Sequence, residues 1–271
     1  MTRAALFAAL PMYDFPHTGV ANDALWKAIA TRLRDRGVDA PERLTRGGDI
    51  EAQWRDPGLL FGQTCGYPYA KRLREAVALV ATPHYAFPGC EGGLHRSFLV
   101  SRRDDARREL AEFKGSRAAI NGWMSNTGMN LFRVTIAPIA DGGPFFGEIA
   151  VTGSHEASLV AVAEGAADIA AIDCVTFALI ERARPDVGAR VTAVAESRLS
   201  PCLPFIASAR LPDAIIAAVR ASLFEALDDP RLAEARGALG LVDASEAEPA
   251  DYERVLEIER EAEALGYPTL A

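Results

Sequence analysis

The chain has 271 residues, of which 49% are hydrophobic and 24% are charged, and its formal net charge is −8. This length supports one large domain or two modest ones, and the acidic balance argues against nucleic acid as a general partner. No apolar run approaches the roughly 20 residues that span a bilayer, so we expect no membrane insertion.

Short apolar runs alternate with segments of helical periodicity, a pattern that predicts an α/β fold. In chain order, the pattern predicts strands at 4–10, 59–63, 76–81, 97–101, 117–121, 148–151, 168–172, 190–195 and 203–207. Helices are predicted from Asn22 to about Arg36, over 105–113, after Gly128, over 155–165, from Asp173 to Pro185, from Pro212 and over 251–265.

The N-terminus does not match a signal peptide. Its apolar run, 4–10, is at the short edge for such a segment, and Pro11 to Asp14 follow it without a convincing cleavage site. We therefore expect a core strand there. The chain as written is expected to be cytoplasmic, or to lack an export signal that it would otherwise carry.

Three strand-to-helix junctions carry small or polar residues at the start of the helix. A helix N-terminus presents unpaired backbone N–H groups and a positive dipole end, which together bind anions. Hydroxyls add donors there, glycine lets a ligand approach the backbone, and a histidine can donate to an oxyanion. The candidate ligand-binding residues of these junctions are Ser125, Asn126, Thr127, Gly128, Ser154, His155 and Asp173.

Each of these residues also has a purely structural interpretation. Serine, threonine and aspartate at helix starts commonly act as N-caps without any ligand. Asp173 is either such a cap or a partner for a ligand that keeps a proton or carries an ammonium group. Because the other histidines lack this helix-start setting, His155 is the histidine that we expect at the ligand.

Aromatic and cysteine residues complete the set of candidates. Tyr13 and Tyr67 lie in loops after predicted strands, where they can cover a pocket and hydrogen-bond a ligand substituent. The cysteines form no C-x-x-C pair, and the sequence contains no metal-binding cluster, nucleotide loop or nucleophile elbow. Cys65 and Cys90 both flank Gly-rich turns, but we expect thiols rather than a disulfide. No cofactor, metal or catalytic residue is predicted.

Two segments carry a resemblance to a known family. The first is 152–159, Thr-Gly-Ser-His-Glu-Ala-Ser-Leu, with the helix and strand that follow it as far as Asp173. The second is 113–119, Phe-Lys-Gly-Ser-Arg-Ala-Ala, followed by 125–128. Both resemble the phosphate, phosphite and phosphonate substrate-binding proteins of ABC transporters, although Asn126 stands where that family has a hydroxyl residue.

The resemblance implies the type 2 periplasmic-binding fold, with two α/β lobes, a two-stranded hinge and the ligand cleft between the lobes. Lobe 1 would comprise 1–98 and 197–271, and lobe 2 would comprise 99–196 with the anion-binding helix N-termini. It also implies a monomeric periplasmic protein that binds a small anion and serves an ABC permease. Ser125, Thr127, Gly128, Ser154 and His155 would hold the anion, while Tyr13, Tyr67 and Asp173 would meet its other end.

Two alternatives stay open at this point. The same fold is used by some cytoplasmic enzymes that act on small organic acids, and the missing export signal favours that interpretation, whereas the missing nucleophile and metal site disfavour it. A cytoplasmic ligand sensor that docks another protein is the other alternative. Turnover of a bound ligand would identify the enzyme, and a protein partner would identify the sensor.

Overall fold

The computed structural model describes residues 5–271, so residue 4 of the predicted strand 4–10 lies outside the described residues. In chain order the strands are β1 (Phe7–Ala9), β2 (Leu59–Gln63), β3 (Val77–Tyr85), β4 (Leu94–His95), β5 (Ser97–Arg102), β6 (Arg117–Ile120), β7 (Glu148–Val151), β8 (Ile169–Asp173), β9 (Val191–Glu196), β10 (Ser200–Pro201), β11 (Phe205–Ser208) and β12 (Leu241–Ser245).

The helices are α1 (Gly19–Asp35), α2 (Ile50–Arg55), α3 (Gly66–Pro68), α4 (Leu131–Ile136), α5 (His155–Glu164), α6 (Cys174–Ala183), α7 (Pro185–Gly188), α8 (Asp213–Leu227), α9 (Ala233–Leu239) and α10 (Glu253–Ala264). A π-helical turn, Tyr69–Leu73, continues α3, and another, Asn126–Asn130, leads into α4. Between residues 5 and 271, no helix is long and apolar enough to cross a membrane.

The described chain packs as two compact units. Unit 1 contains the described residues up to Ala86 together with Pro201–Tyr252, and unit 2 contains Phe87–Ser200 together with Glu253–Ala271. The predicted lobes, 1–98 with 197–271 and 99–196, remain a prediction. The packing differs from them most at the C-terminus, because α10 and the residues after it pack in unit 2.

Unit 1 is built on a five-stranded sheet in the order β1-β2-β11-β3-β12. β1 and β2 are parallel, and the other neighbours are antiparallel. The core contains a stack of aromatic rings, in which Trp26 of α1 lies 6.0 Å from Phe61, and Phe61 lies 5.1 Å from Phe205. This stack buries the inner face of α1 and explains its apolar spacing at Leu25 and Ile29, both fully buried.

Unit 2 is built on a second five-stranded sheet in the order β7-β6-β8-β5-β9. β6 is parallel to both β7 and β8, whereas β5 runs antiparallel to β8 and β9. The apolar face of α5, with Leu159 and Val162, packs in one buried cluster with Ile172 of β8 and Ile180 of α6. The helices that follow the parallel strands are thereby fixed against the sheet.

The predicted helix start at Asn22 was wrong. The helix begins at Gly19, after Thr18. The Thr18 hydroxyl donates to the Tyr13 carbonyl at 2.7 Å, and the Asn22 amide donates to the same carbonyl at 3.2 Å. Asn22 therefore lies within the first turns of α1, where its side chain holds the preceding loop instead of capping the helix.

The helix predicted over 105–113 was also wrong, since only a 3-10 turn, Leu110–Phe113, forms there. The Asp105 carboxylate accepts from the backbone N–H of Arg107 at 2.9 Å and from its guanidinium at 2.6 Å. Short polar side chains that bond to nearby backbone compete with helix formation. Glu109 and Glu112 then form a capping box that starts the turn late.

Candidate functional site

The three junctions singled out in the sequence follow β6, β7 and β8 of unit 2. These strands are parallel neighbours in the order β7-β6-β8, so their carboxyl ends meet at one edge of the sheet. Ligands of α/β proteins bind at such an edge, where the helices begin. The structure therefore brings seven of the nine predicted ligand-binding residues to one region of unit 2: Ser125, Asn126, Thr127, Gly128, Ser154, His155 and Asp173.

The first junction is capped by Ser125. Its hydroxyl oxygen accepts from the backbone N–H of Gly128 at 2.9 Å, so the side chain acts as the predicted N-cap. The backbone of the next turn is fixed from another strand, because the Ser97 hydroxyl donates to the Thr127 carbonyl at 2.8 Å. The first N–H groups of this helical segment, which lack acceptors within the helix, are thereby held in a defined direction.

Gly128 is placed where a side chain would not fit. A Cβ at this position would lie 1.9 Å from Oδ1 of Asn121 and 3.0 Å from Cε1 of His155. The glycine therefore allows His155, which begins α5, to pack directly against the first junction. Close approach, rather than an unusual backbone angle, requires glycine here.

The side chain of Asn126 is engaged within the protein. Its amide nitrogen donates to the Ser200 hydroxyl at 2.8 Å, and its amide oxygen accepts from Asn130 at 3.2 Å. Asn126 is 1% exposed. Because the amide is buried and both its nitrogen and its oxygen have partners within the protein, this residue is better suited to offer its backbone than its side chain.

The second junction joins the first through a side-chain contact. Nε2 of His155 lies 2.9 Å from the Thr127 hydroxyl. The Ser154 hydroxyl, at the exposed end of the junction, accepts from the Ala157 N–H at 3.0 Å and caps α5. The two helix starts thus present hydroxyls, backbone N–H groups and one imidazole in the same neighbourhood.

The fold favours the neutral form of the His155 imidazole. Burial lowers the pKa of His155 below its ordinary value, and the nearby His95 lowers it further, while Asp173 and the Ala171 carbonyl oppose the change. An anion beside the ring would favour the protonated form and raise the pKa. His155 is therefore suited to respond to an oxyanion by taking up a proton or by donating its N–H.

The third junction contains a buried contact between a histidine and an aspartate that the sequence did not reveal. Oδ1 of Asp173 accepts from the Thr176 N–H at 2.8 Å and caps α6. Oδ2 of the same carboxylate lies 3.2 Å from Nδ1 of His95, and both side chains are almost fully buried. Burial raises the pKa of Asp173, but His95, His155 and the Thr176 N–H together outweigh it and hold the pKa below the ordinary value.

The pairing of His95 with Asp173 depends on strand register. β5 and β8 are antiparallel with Ser97 opposite Asp173, which brings the residues just before β5 to the end of β8. The sequence treats His95 as one of several ordinary histidines, because nothing within a few residues of it indicates a partner 78 positions away (173 − 95). Only an assumed pairing of 97–101 with 168–172 would have suggested the contact.

Two thiols meet beside this pair. Sγ of Cys90 lies 3.4 Å from Sγ of Cys174, which begins α6 directly after Asp173. The hydrogen bond with Cys90 and burial both raise the pKa of the Cys174 thiol. Within residues 5–271 no cysteine forms a disulfide.

The two predicted tyrosines lie in unit 1. Tyr13 is 5% exposed, and its ring packs edge-on against Tyr85 with centroids 5.5 Å apart. Tyr67 belongs to α3, and the ammonium group of Lys71 lies 5.8 Å from its ring centroid. Each tyrosine is thus held by its own neighbours in unit 1, and their role toward a ligand stays a prediction.

The donors of the three junctions are uncharged apart from histidine. The segments 121–128, 152–158 and 172–176 contain no lysine or arginine. In the part of the chain that the structure describes, no group of three or more His, Cys, Asp or Glu residues is placed to hold a metal ion. The arrangement is therefore suited to binding an anion through hydrogen bonds and helix dipoles.

Several solved structures share this fold along almost the whole chain. The binding-protein component of an ABC phosphonate transporter from Pseudomonas aeruginosa aligns with a TM-score of 0.78 and 13% identity, over 96% of this chain and 87% of that chain. PhnD1 from Prochlorococcus marinus, solved with methylphosphonate, aligns with a TM-score of 0.76 and 13% identity, over 96% and 99% of the two chains.

XAC2383 from Xanthomonas citri, solved with chloride, aligns with a TM-score of 0.74 and 15% identity, over 97% of this chain and 99% of that chain. At these identities the likeness establishes the fold, the α/β fold of type 2 periplasmic binding proteins. No curated protein matches the chain.

The family is established by sequence. The model of the family described as "ABC transporter, phosphonate, periplasmic substrate-binding protein" matches residues 59–252, which is more than half of the chain. The matched range includes all three junctions of unit 2. The chain therefore belongs to the family of periplasmic substrate-binding proteins of phosphonate ABC transporters.

Proposed function

We propose that this substrate-binding protein captures a small phosphorus oxyanion, such as a phosphonate, phosphite or phosphate, at the three junctions of unit 2. Family membership favours solute capture for an ABC transporter over the enzyme and sensor alternatives. The permease that receives the ligand and a monomeric state are parts of the same proposal. The fold alone does not select a ligand, so the ligand is inferred from the functional groups at the three junctions.

The observation that carries the proposal is the contact between Thr127 and His155, 2.9 Å apart. It places a hydroxyl and an imidazole at the starts of two different helices, beside backbone N–H groups that the caps Ser125 and Ser154 hold in place. A tetrahedral oxyanion has three or more oxygens that accept hydrogen bonds from several directions. Donors from two helix starts match that demand.

The remaining predicted residues have different roles within this proposal. Gly128 lets His155 pack against the first junction, and Asn126 offers its backbone while its side chain stabilises the loop. Tyr13 and Tyr67 of unit 1 are proposed to set specificity for the substituent of the ligand. Their hydroxyls are donors and acceptors without charge, which suits a neutral substituent.

The proposal is tested by thermal unfolding of the purified chain with phosphate, phosphite, methylphosphonate, sulfate and small carboxylates. Ligand that binds the folded form stabilises it by about 2.7 kcal/mol at 100 times Kd. We expect a rise in Tm with at least one phosphorus oxyanion, and its loss in His155→Gln. The matched control is His84→Gln, since His84 contacts Ser245 at 3.1 Å in unit 1 and lies outside the proposed site.

A stabilisation by carboxylates alone, or an unchanged response in His155→Gln, would contradict the proposal. Titration calorimetry with the stabilising oxyanion then gives Kd for both variants. Removing one hydrogen bond to a charged ligand generally costs about 1.5–3 kcal/mol, or roughly 10-fold to 150-fold in Kd.

A further inference from the structure

The buried pair of His95 and Asp173 lies at the site but is not needed to bind an oxyanion. Nδ1 of His95 is 3.2 Å from Oδ2 of Asp173, and the two side chains are 0% and 1% exposed. A carboxylate buried to this degree is stable only when its oxygens are matched by donors.

Both oxygens of that carboxylate are engaged inside unit 2. Oδ1 accepts the Thr176 N–H at 2.8 Å and thereby caps α6. Oδ2 faces His95. Because Asp173 is only 1% exposed, a ligand ammonium group could reach this carboxylate only by displacing groups that cover it, and loss of a partner would leave a buried donor unsatisfied.

The negative charge of Asp173 would otherwise be unfavourable for the site. Asp173 ends β8, the strand beside β6, and its carboxylate raises the pKa of His155, so it lies close enough to influence whatever binds beside that ring. Without a partner, a buried carboxylate near a bound oxyanion would weaken binding by repulsion. When protonated, His95, whose Nδ1 lies 3.2 Å from Oδ2, offsets this charge and leaves the neutral donors of Thr127 and His155 to act on the ligand.

We propose that His95 is a specificity-determining residue of this site, which by pairing with Asp173 withholds that carboxylate from the ligand. The site accordingly takes a phosphorus oxyanion whose substituent is absent or small and uncharged, and it discriminates against aminoalkylphosphonates. This inference rests on the proposed function. His95 acts through Asp173 and is a positioning residue.

The test compares the Kd of methylphosphonate with that of 2-aminoethylphosphonate by titration calorimetry of the full chain. The Kd of the wild-type protein for methylphosphonate is expected to be lower by at least about 10-fold, because the ammonium group of 2-aminoethylphosphonate would lose hydration without forming an ion pair with Asp173. In His95→Asn the carboxylate loses its partner. Methylphosphonate binding is then expected to weaken by about 10-fold or more, and the preference between the two ligands is expected to narrow or reverse.

A double variant separates charge from folding. In His95→Asn/Asp173→Asn, asparagine at 173 keeps an oxygen for the Thr176 N–H and removes the charge. Methylphosphonate affinity is expected to recover relative to His95→Asn alone, whereas a merely structural role for His95 predicts no recovery. His84→Gln in unit 1 serves as the control that leaves both affinities unchanged.

The outcomes distinguish this inference from the proposed function. If the wild-type protein binds no phosphorus oxyanion, the proposed function fails and the inference fails with it. If it binds phosphite or phosphate but neither phosphonate, the proposed function stands and only the inference is overturned. If it binds both with equal affinity, or prefers 2-aminoethylphosphonate, only the inference is overturned. The ratio of the two Kd values in the wild-type protein can overturn the inference even if His95→Asn does not fold.

Discussion

Nε2 of His155 lies 2.9 Å from the hydroxyl of Thr127, and this contact joins the first turns of two helices that follow different strands. Each helix is also capped by a serine, Ser125 in one case and Ser154 in the other. The same small region therefore stabilises the fold and is the proposed anion site, so a substitution there can change stability and binding independently.

The first prediction concerns the pH dependence of stability. Because burial lowers the pKa of His155, the folded protein keeps this ring neutral at a pH where the unfolded ring is protonated. Stability is therefore expected to fall as pH drops below the ordinary histidine value of about 6.5. In His155→Gln the slope between pH 7 and pH 5 should be smaller, by at most about 1.4 kcal/mol per pH unit.

Urea unfolding of the ligand-free protein at several pH values measures this slope. The pKa of Asp173 is below its ordinary value, so the stability that this carboxylate contributes is lost only below pH 5. The comparison between pH 7 and pH 5 therefore reports on His155 without a change at Asp173. Equal slopes for the wild-type protein and His155→Gln would mean that His155 is protonated alike in the folded and unfolded states.

The second prediction separates the cap at Ser154 from its role toward an anion. Aspartate caps a helix as well as serine does, and its negative charge interacts favourably with the positive end of the helix dipole. Ser154→Asp should therefore change the free energy of unfolding by less than about 0.5 kcal/mol. The new carboxylate would repel an oxyanion at the start of α5. Methylphosphonate binding should weaken by more than about 10-fold.

The reverse exchange at a cap outside the proposed site is the control. In unit 1, Asp49 caps α2, and its carboxylate accepts from the N–H groups of Glu51 and Ala52. Asp49→Ser should leave methylphosphonate affinity unchanged. Tight binding by Ser154→Asp, measured by titration calorimetry, would exclude the start of α5 from the anion site.

The third prediction concerns the close approach at Gly128. In Gly128→Ala the new methyl group would meet Asn121 at 1.9 Å and crowd His155 at 3.0 Å. Overpacking of this kind commonly costs about 1–3 kcal/mol, and displacement of His155 should weaken oxyanion binding as well. In Gly122→Ala, six residues earlier, a Cβ meets no atom within 4 Å, so both stability and binding should be nearly unchanged.

Urea unfolding and calorimetry of these two variants measure the contrast. If Gly128→Ala matched Gly122→Ala in both quantities, the packing of His155 against the first junction would not matter for the site. A loss of stability without a loss of binding would show that His155 regains its position after the loop relaxes.

The fourth prediction concerns thiol reactivity. Cys174 is fully buried, and Cys90 and burial raise the pKa of its thiol, so little thiolate is present near neutral pH. Cys90 is partly exposed. Iodoacetamide should therefore modify Cys90 well before Cys174 in the native protein, as mass spectrometry of the digested chain would measure. Equal rates would indicate that the start of α6 opens readily.

Local patterns in the sequence predicted much of unit 2. The predicted strand 148–151 matches β7, and α5 begins at His155 after a serine cap and ends before Gly165 at φ 78°, as the residue types indicate. In unit 1 the predicted strand 59–63 matches β2. Glycine and capping residues lie at the ends of these elements, so residues close in the sequence determine where each element begins and ends.

Features that depend on distant partners escaped prediction. The His95–Asp173 pair requires the register of β5 against β8, and β12 becomes a strand by pairing with β3. Asn126 is a predicted ligand-binding residue, but the sequence did not show that its amide contacts Ser200 and Asn130. A single sequence specifies which groups are present at a junction, but the partners that engage them are contributed by other parts of the fold.

The absence of lysine and arginine from segments 121–128, 152–158 and 172–176 has a consequence for the loaded protein. Hydroxyls and backbone N–H groups hold an anion without cancelling its charge. Unless His155 takes up a proton, the full charge of the ligand adds to the formal −8 of the chain. A transporter that receives the loaded form then meets a more acidic molecule than the empty one, and native electrophoresis would separate the two.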